Sequence, residues 1–416
     1  MQSDPPKADT PKRKRRWFQF SLRSLLIFTL ICAVACGWVA RRAAQKRRQL
    51  DAIASLLKMG AYITYDFQYD SSGQSIPGAR PPGPEWLRNL FGENFLSDVK
   101  YVYIPSQTKP DPNAAAKHWW QKALAVLAPE PPPDADAALA TCEEFPNLKD
   151  LVLSETTVSD RGLAHLDKLS QLRSLELSET TVSDAGLAHV KGLIHLRRLD
   201  VSVTDVTDGG MICLSELNEL RALDVAWTKV GDAGLAHVNG LLHLRELDLN
   251  GTNTTDAGMA YLSELSELEV LHLSRTKIGD AGLEHLKRLA GLRTLDLVRT
   301  KITNAGLLNL KGLNLESLDL GGTSVSDAGL AHLASMSGLK FLGLGRTNVS
   351  DKGLAHVKGF NRLDKLELDS TNVSDAGLED LKALRSLRTL ELRGSRVTDA
   401  GVKRLRTALP YCTIIH

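Results

Sequence analysis

The stretch SETTVSDAGLAHVKGLIHLRRLDV, residues 178–201, returns in close variants from Leu148 almost to the end of the chain. Its Asp184 marks the register of the copies, because an acid or amide stands at the same place in each of them. Successive copies lie 24 residues apart, except for one step of 23 residues between Asn304 and Asp327. A fixed period of this length is typical of a solenoid, in which each repeat packs on its neighbours.

Each copy contains one predicted strand and one predicted helix. In the segment LRRLDV at 196–201, the first, fourth and sixth residues are expected to face inward from a short strand. Further along, Met211, Leu214 and Leu217 recur at helical spacing. A strand and a helix in every copy predict an α/β horseshoe with a concave parallel β-sheet and convex helices.

The residue before each repeated acid predicts where the helix begins. Ser, Thr or Gly stands there in every copy, as Ser183 does before Asp184, and all three are favoured N-cap residues. We call the repeated acids the marker residues and expect them in the first helical turn, where the helix dipole contributes about 0.3–1 kcal/mol to each. The glycine that follows, such as Gly186, is expected to allow close approach of the neighbouring repeat. The marker residues are Asp160, Asp184, Asp208, Asp232, Asp256, Asp280, Asn304, Asp327, Asp351, Asp375 and Asp399. Asp136, 24 residues before Asp160, indicates a preceding half-repeat in which Ala138 replaces the glycine.

The beginning of the chain has the features of a membrane anchor. Residues 1–17 form a basic segment, and residues 18–40 contain an uncharged apolar run from Leu25 to Ala40. This run is slightly short for the hydrocarbon core of about 30 Å, but the preceding residues can lengthen it. The slight excess of cations on the N-terminal side predicts that the remainder of the chain is extracytoplasmic. A cleaved signal peptide, with Ala33-Val34-Ala35 before the cleavage site, is the alternative.

Residues 41–133 differ in composition from the repeats, and we predict that they form a small α+β cap and juxtamembrane region. Residues 61–67 and 99–104 are expected to be strands, and residues 85–91 a short helix. A ligand site around His118-Trp119-Trp120 is conceivable, but adjacent tryptophans more often pack. Residues 134–416 are the predicted repeat domain, including a C-terminal cap.

The T-x-V-[ST]-D-A-G-L motif of the copies resembles the leucine-rich-repeat family, and especially its cysteine-containing subfamily, which also occurs in F-box-type substrate adaptors. The subfamily's cysteine is a threonine here, as at Thr180 and Thr204. The segment RWFQFSLRSLL at 16–26 is similar to the anchor of certain bacterial membrane-tethered repeat proteins. The resemblance implies protein–protein binding without catalysis or a cofactor. No F-box-like segment precedes the repeats, which argues against an adaptor in ubiquitin transfer.

The composition excludes a strongly basic protein. The 51 basic and 49 acidic residues leave a net charge of +2, so no general affinity for nucleic acid is expected. Five scattered cysteines do not indicate a disulfide framework. The histidines that recur on the helices are not expected to bind metal, because neighbouring helices stand about 10 Å apart and a metal needs converging ligands.

One outward position of the strands forms an acidic column, which we define as the series from Val152 to Glu391. Adjacent parallel strands lie about 4.8 Å apart, so carboxylates in this column repel unless they are paired or hydrated. Arginines three residues earlier, such as Arg197 and Arg245, are expected to offer partial compensation. The column is either a hydrated charge array or a surface for a basic or mixed-charge partner. Its members are Val152, Glu176, Asp200, Asp224, Asp248, His272, Asp296, Asp319, Gly343, Glu367 and Glu391.

Departures from the repeat consensus are the best candidates for specificity. Trp227 and Arg275 stand at the same strand-end position in different copies, and Trp and Arg dominate protein-binding hot spots. His272 replaces an acid nearby, while Phe341 and Arg346 suggest a second patch. The predicted partner-binding residues are Asp200, Val203, Asp224, Trp227, Asp248, His272, Arg275, Asp296, Arg299, Phe341 and Arg346.

These observations predict a membrane-tethered, non-catalytic scaffold that binds a protein on its concave sheet. No catalytic residue, metal, cofactor, nucleic acid or small-molecule substrate is expected. The alternatives are a structural or glycan-contacting spacer in the cell envelope and an F-box-like adaptor-type repeat module. An enzyme would have to rely on the carboxylates of the acidic column, and a repeated motif without a distinct pocket does not favour that chemistry.

Overall fold

The computed structural model describes residues 22–68, 76, 78–82, 97–105 and 134–416. In this part of the chain, 14 strands form one sheet in sequence order. The first pair is antiparallel, and all later neighbours are parallel, as β2 and β3 are. The strands are β1 (Tyr62–Tyr65), β2 (Val99–Tyr103), β3 (Asp150–Val152), β4 (Ser174–Glu176), β5 (Arg198–Asp200), β6 (Ala222–Asp224), β7 (Glu246–Asp248), β8 (Val270–His272), β9 (Thr294–Asp296), β10 (Ser317–Asp319), β11 (Phe341–Gly343), β12 (Lys365–Glu367), β13 (Thr389–Glu391) and β14 (Thr413–Ile415).

Short helices on the other side of the sheet connect the parallel strands. Many of the repeats use a single α-helical turn that continues as a 3₁₀-helix, because a repeat of 24 residues that also contains a strand is too short for a longer helix. The predicted α/β horseshoe is confirmed. The α-helices of the repeats are Ala135–Cys142, Asp160–Leu163, Asp184–Leu187, Asp208–Met211, Asp232–Leu235, Asp256–Met259, Asp327–Leu333, Asp351–Val357, Leu378–Leu381 and Asp399–Ala408. The 3₁₀-helices that follow or replace them are Ala164–Lys168, Ala188–Gly192, Ile212–Leu214, Ala260–Leu262, Gly282–Arg288 and Gly306–Leu310.

The interior between sheet and helices is filled by the repeated leucines and valines. Leu175, Leu199 and Leu223 lie side by side in neighbouring strands and are buried. The repeated threonine, which replaces the subfamily's cysteine, is also buried. Its hydroxyl donates to the carbonyl three residues earlier, as Thr180 does to Leu177 at 2.6 Å, so this buried hydroxyl has a partner.

Eight of the eleven marker residues begin an α-helix, as predicted, while Asp280, Asn304 and Asp375 lie in the turn just before a helix. The marker side chains mainly bind the next repeat. The Asp160 Oδ1 atom accepts from the Ser183 backbone N–H at 2.7 Å, and its Oδ2 atom accepts from the Ser183 hydroxyl at 2.6 Å. Asp184 binds Thr207 in the same way. The markers therefore do more than interact with the helix dipole. Each marker up to Asp375 also accepts a hydrogen bond that joins its repeat to the next one.

The glycine two residues after each marker makes room for the side chain of the preceding marker. A Cβ atom at Gly186 would lie 2.4 Å from the Asp160 Oδ1 atom and 3.0 Å from its Cα atom. Such distances are far inside van der Waals contact. The predicted close approach between repeats is confirmed, and the atom that is approached is the carboxylate of the preceding marker.

The N-terminal helix, Leu22–Lys58, is continuous through residue 40, where the anchor was predicted to end. Its second half packs on the cap through the buried side chains Ala52 and Leu56. Arg42 and Lys46 bind the Asp98 carboxylate, at 3.1 and 3.3 Å. These two cations thus hold the helix on the cap.

The first half of this helix exposes large apolar side chains, including Phe28, Leu30 and Trp38. It is long and apolar enough to cross a bilayer, and a signal sequence has the same features. It is the one such helix among the residues that the structure describes.

The cap continues the sheet of the repeats. Strands β1 and β2 confirm the two predicted strands, and β2 pairs with β3 of the first full repeat. The half-repeat predicted at Asp136 is confirmed by the helix Ala135–Cys142. The basic segment 1–17, the predicted short helix 85–91 and His118-Trp119-Trp120 lie outside the described residues.

Candidate functional site

The acidic column is in register along the sheet, as its spacing predicts. Asp200 of β5 lies opposite Asp224 of β6, which lies opposite Asp248 of β7. His272 follows in β8 and Asp296 in β9. The His272 Nδ1 atom is 3.9 Å from the Asp296 Oδ2 atom, so the histidine interrupts the carboxylates and faces one of them.

The carboxylates of this column also shape the turn that follows each strand. The Asp248 Oδ1 atom accepts from the Asn250 backbone N–H at 2.8 Å. Asp200, Asp224, Asp296 and Asp319 accept from the residue two positions on in the same way, at 2.9 Å. This local hydrogen bond is an Asx-turn, and it fixes one oxygen of each carboxylate while the side chain remains partly accessible.

The arginines that precede the strands have other partners. The Arg197 Nη2 atom lies 3.3 Å from Glu219, and that of Arg245 lies 3.2 Å from Glu267. His195 and His243 bind the same two glutamates through Nδ1. The expected compensation of the acidic column by these two arginines is therefore wrong, since their guanidinium groups bind loop glutamates.

Burial raises the pKa of two carboxyls of the acidic column, those of Asp248 and Asp319. Burial is the main cause for Asp248, and the Asp296 and Asp200 charges add to it. Burial raises the pKa of Asp319 to about 6, with contributions from Asp296 and Glu367. Burial makes the charged form of these two side chains costly unless a cationic partner is present.

Because the folded-state pKa of Asp319 lies above its ordinary value of 3.8, the folded protein binds more protons between pH 4 and pH 6. The stability contribution of this group is fully present below about pH 4, falls as the pH rises to about 6 and is then constant. We expect Asp319→Asn to raise stability above pH 6 and to flatten this part of the pH profile. Urea unfolding from pH 4 to pH 7 measures both effects. An unchanged profile would show that Asp319 is ordinarily ionised.

A second column follows the acidic one at the ends of the strands, and its backbone is left-handed. Val203, Trp227 and Arg275 have φ values of 55°, 58° and 57°. Non-glycine residues rarely adopt this conformation, which costs about 1–2 kcal/mol per residue. We call this series the left-handed column. Its members are Glu155, Glu179, Val203, Trp227, Gly251, Arg275, Arg299, Gly322, Arg346, Ser370 and Gly394.

Trp227 and Arg275 are in contact, although 48 residues separate them in the chain. The Arg275 guanidinium carbon lies 5.4 Å from the centroid of the Trp227 ring, within the range of a cation–π interaction. The indole covers Gly251 of the intervening repeat, where a Cβ atom would lie 2.5 Å from the indole Cε3 atom. Gly251 thus leaves the space that lets the indole reach across one repeat toward the guanidinium.

The Trp227 side chain is accessible in spite of this contact, with 51% of the residue exposed. Val203, one repeat before it, is 47% exposed. This part of the left-handed column therefore presents apolar and cationic side chains, those of Val203, Trp227, Arg275 and Arg299. We call these four residues the Trp227 strip. It runs beside the acidic column along the edge of the concave sheet.

The second predicted patch is less compact. Phe341 lies at the beginning of β11, where the Lys365 Nζ atom is 5.6 Å from its ring centroid. Arg346 follows the end of the same strand and belongs to the left-handed column. The two residues are therefore on opposite edges of the concave face, and the structure groups Phe341 with Lys365.

Two of the helix histidines, His165 and His189, lie against acids of the preceding repeat. His165 Nδ1 lies 2.7 Å from Glu143, and His189 Nδ1 lies 3.3 Å from Asp167. Over the described ranges, no group of three or more His, Cys, Asp and Glu side chains is arranged to hold a metal.

Comparisons with known proteins are consistent with this geometry. Family models described as leucine-rich repeats match residues 243–302 and, for a second model, residues 192–215, 218–236 and 383–405. No curated protein sequence matches the chain.

Among solved structures, an internalin from Listeria monocytogenes is 22% identical with a TM-score of 0.51; the match covers 66% of this chain and 82% of that chain. A leucine-rich-repeat protein from Leptospira interrogans is 16% identical with a TM-score of 0.49, covering 67% and 80% of the two chains. At this level of identity, the internalin match concerns the fold alone.

Proposed function

Because the chain is a leucine-rich-repeat protein, we propose that it is a membrane-tethered, non-catalytic scaffold that binds a protein partner on its concave sheet. The contact between Trp227 and Arg275 carries this proposal. It joins an exposed indole to a guanidinium, the two groups that most often dominate the binding energy of protein interfaces. The acidic column beside it favours a partner that presents basic or mixed charges.

The backbone of the left-handed column supports a binding role. Glycine occupies this column at Gly251, Gly322 and Gly394, and would remove the conformational cost elsewhere. Bulky side chains at Val203 and Trp227 therefore carry a conformational cost at positions where about half of each residue stays exposed. Retained strain of this kind is typical of functional surfaces.

Catalysis is not part of the proposal. The carboxylates of the acidic column repeat at strand spacing along an open sheet, and most of them fix the same turn. A glycosidase would need two carboxyls with separate roles around one bond. Measurable hydrolysis that is lost in both Asp224→Asn and Asp248→Asn would contradict the non-catalytic assignment.

The binding site is tested by alanine replacement at its centre. We expect Trp227→Ala to weaken partner binding about tenfold or more, since an aromatic side chain that becomes buried in the interface is a typical hot spot. Arg275→Ala is expected to have a similar effect, because the indole loses the cation that holds it over Gly251. Tyr261→Ala, which removes an exposed aromatic from the helix side, is the matched control. Titration of the partner identified by pull-down measures these affinities. Equal affinities for all three variants and the wild type would refute the site.

The tether is the N-terminal helix, with residues 18–40 in the membrane, 41–133 as the cap region and the 134–416 repeat domain outside the cytoplasm. The unbroken helix from the apolar half into the cap supports a rigid connection. We expect removal of residues 1–40 to shift the protein from the membrane pellet to the soluble fraction. N-terminal sequencing of the full chain separates an anchor from a cleaved signal. A full chain that fractionates as soluble would contradict the tether.

A further inference from the structure

A cavity of about 590 Å³ opens at the beginning of the strands in the C-terminal part of the sheet. We call it the edge cavity. It is a shallow depression that is open to solvent. It lies near the opposite edge of the concave face from the left-handed column, at β11 and β12. The lining residues are Lys340, Phe341, Arg362, Asp364, Lys365 and Ser386.

The cavity carries three cations and one carboxylate. Lys340 pairs with Glu316 at 2.6 Å, and Lys365 pairs with Glu367 and Glu391 at 2.6 and 2.9 Å. Across the described part of the chain, Arg362 forms no hydrogen bond or ion pair through its guanidinium group. Lys340 is the main cause of the lowered pKa of Glu316, and the Arg362 charge adds to it without forming an ion pair. The cavity therefore offers one planar, forked cation that is available to an anion.

The remaining walls suit a ligand that also donates hydrogen bonds. The Asp364 carboxylate, like Arg362, has no partner within the described residues. The Ser386 hydroxyl donates to the Asn361 carbonyl at 2.7 Å, so its lone pairs remain available to accept. The Phe341 ring supplies an apolar wall beside these polar groups.

We propose that the edge cavity binds a uronic acid residue of an acidic glycan. A sugar acid brings a carboxylate for Arg362, hydroxyl donors for Asp364 and Ser386, and an apolar ring face for Phe341. A nucleic acid backbone has a charge on every phosphate, which the nearby Glu316, Glu367 and Glu391 disfavour. An acidic peptide supplies the carboxylate but few hydroxyl groups. This proposal is independent of the Trp227 strip and of its protein partner.

The test is calorimetric titration of the full chain in detergent with a short, unbranched oligomer of galacturonic acid. The methyl-esterified oligomer keeps the rings and removes the charge. A glutamate-rich peptide and a single-stranded oligonucleotide of equal charge represent other polyanions. We expect the galacturonate oligomer to bind, and each comparison ligand to bind at least about tenfold more weakly, because the charge-assisted fork is lost or the hydroxyl contacts are missing.

Three variants locate the site. Arg362→Gln is expected to weaken galacturonate binding at least about tenfold. Phe341→Thr should weaken it as well, and it introduces the residue found at the equivalent strand positions Thr294 and Thr389, so the fold is retained. Arg221→Gln, five repeats away at the position equivalent to Lys340, is the matched control and should have no effect.

Galacturonate binding that survives Arg362→Gln, or that is no tighter than binding of the ester, the peptide or the oligonucleotide, overturns the proposal. Trp227→Ala should leave galacturonate binding unchanged. Loss of protein binding in that variant together with intact sugar binding separates the two sites, so that either can fail alone.

Discussion

Asp232→Ala is expected to lower the free energy of unfolding by about 3 kcal/mol, because it removes two hydrogen bonds to a charged acceptor. The Asp232 carboxylate accepts from the Thr255 backbone N–H at 2.8 Å and from its hydroxyl at 2.6 Å. Without the acid, a partly buried donor at the repeat junction is left without its partner. Urea unfolding of the full chain measures the loss, and hydrogen exchange of the Thr255 amide locates it.

Asp399→Ala is the matched control, because Asp399 begins a helix like Asp232 but, in the described part of the chain, its carboxylate does not bind the N-cap of another repeat. Its side chain is 100% exposed and lies 3.3 Å from the C-terminal residue His416. A surface ion pair of this kind contributes about 0–1 kcal/mol. If the marker residues acted through the helix dipole, both variants would lose the same 0.3–1 kcal/mol or so. Equal small losses would therefore contradict the account of linked repeats.

Asp232→Asn separates the hydrogen bonds from the charge. Asn304 already occupies one marker position, where its Oδ1 atom accepts from the Ser326 backbone N–H at 2.8 Å. Its amide donates to the Ser326 hydroxyl, also at 2.8 Å. An amide can therefore replace the carboxylate, and Asp232→Asn is expected to cost less than Asp232→Ala.

Gly186→Ala is expected to lower the free energy of unfolding by about 3 kcal/mol, near the upper end for overpacking. The added Cβ atom would collide with the Oδ1 and Cα atoms of Asp160. Moving that carboxylate also weakens its two hydrogen bonds to Ser183. Relief is difficult because the contacted Cα atom belongs to the backbone.

Gly192→Ala in the same repeat is the control for helix propensity. A Cβ atom at Gly192 would meet nothing within 4 Å. Because alanine has less conformational freedom in the unfolded chain, this change is expected to be neutral or slightly stabilising. Thermal unfolding of both variants by circular dichroism decides the matter. A loss at Gly192 equal to the loss at Gly186 would point to backbone conformation and not to the contact with Asp160.

The periodicity of the sequence predicts the sheet, the helix starts and the acidic column, because each of these depends on local residue order. The partner of a marker carboxylate lies 22 to 23 residues away, and spacing alone does not show which side chain reaches across a repeat junction. The predicted compensation by Arg197 and Arg245 failed for the same reason. Glutamates of the following loops, Glu219 and Glu267, are nearer to these guanidinium groups than the acidic column is.

The left-handed column had a signal in the sequence that was not recognised. Glycine recurs at Gly251, Gly322 and Gly394, and glycines that share one position of a repeat indicate a positive φ. The grouping of Trp227 with Arg275 was predicted from their common position, but the gap at Gly251 that lets them meet was not. Phe341 and Lys365 are one repeat period apart, so the spacing predicts that they lie side by side, but Phe341 was grouped with Arg346 of its own repeat instead.

The central claim is that the repeat consensus builds the solenoid and that departures from it on the concave face bind the partner. Site-specific photo-crosslinking in intact cells tests it most directly, with a benzophenone amino acid placed at Val203, beside the intact Trp227, in one variant and at Tyr261 in another. We predict a discrete crosslinked protein from position 203, none from position 261, and loss of the product when Trp227→Ala is added. A product from position 261 alone, or one from position 203 that is unaffected by Trp227→Ala, would contradict the claim.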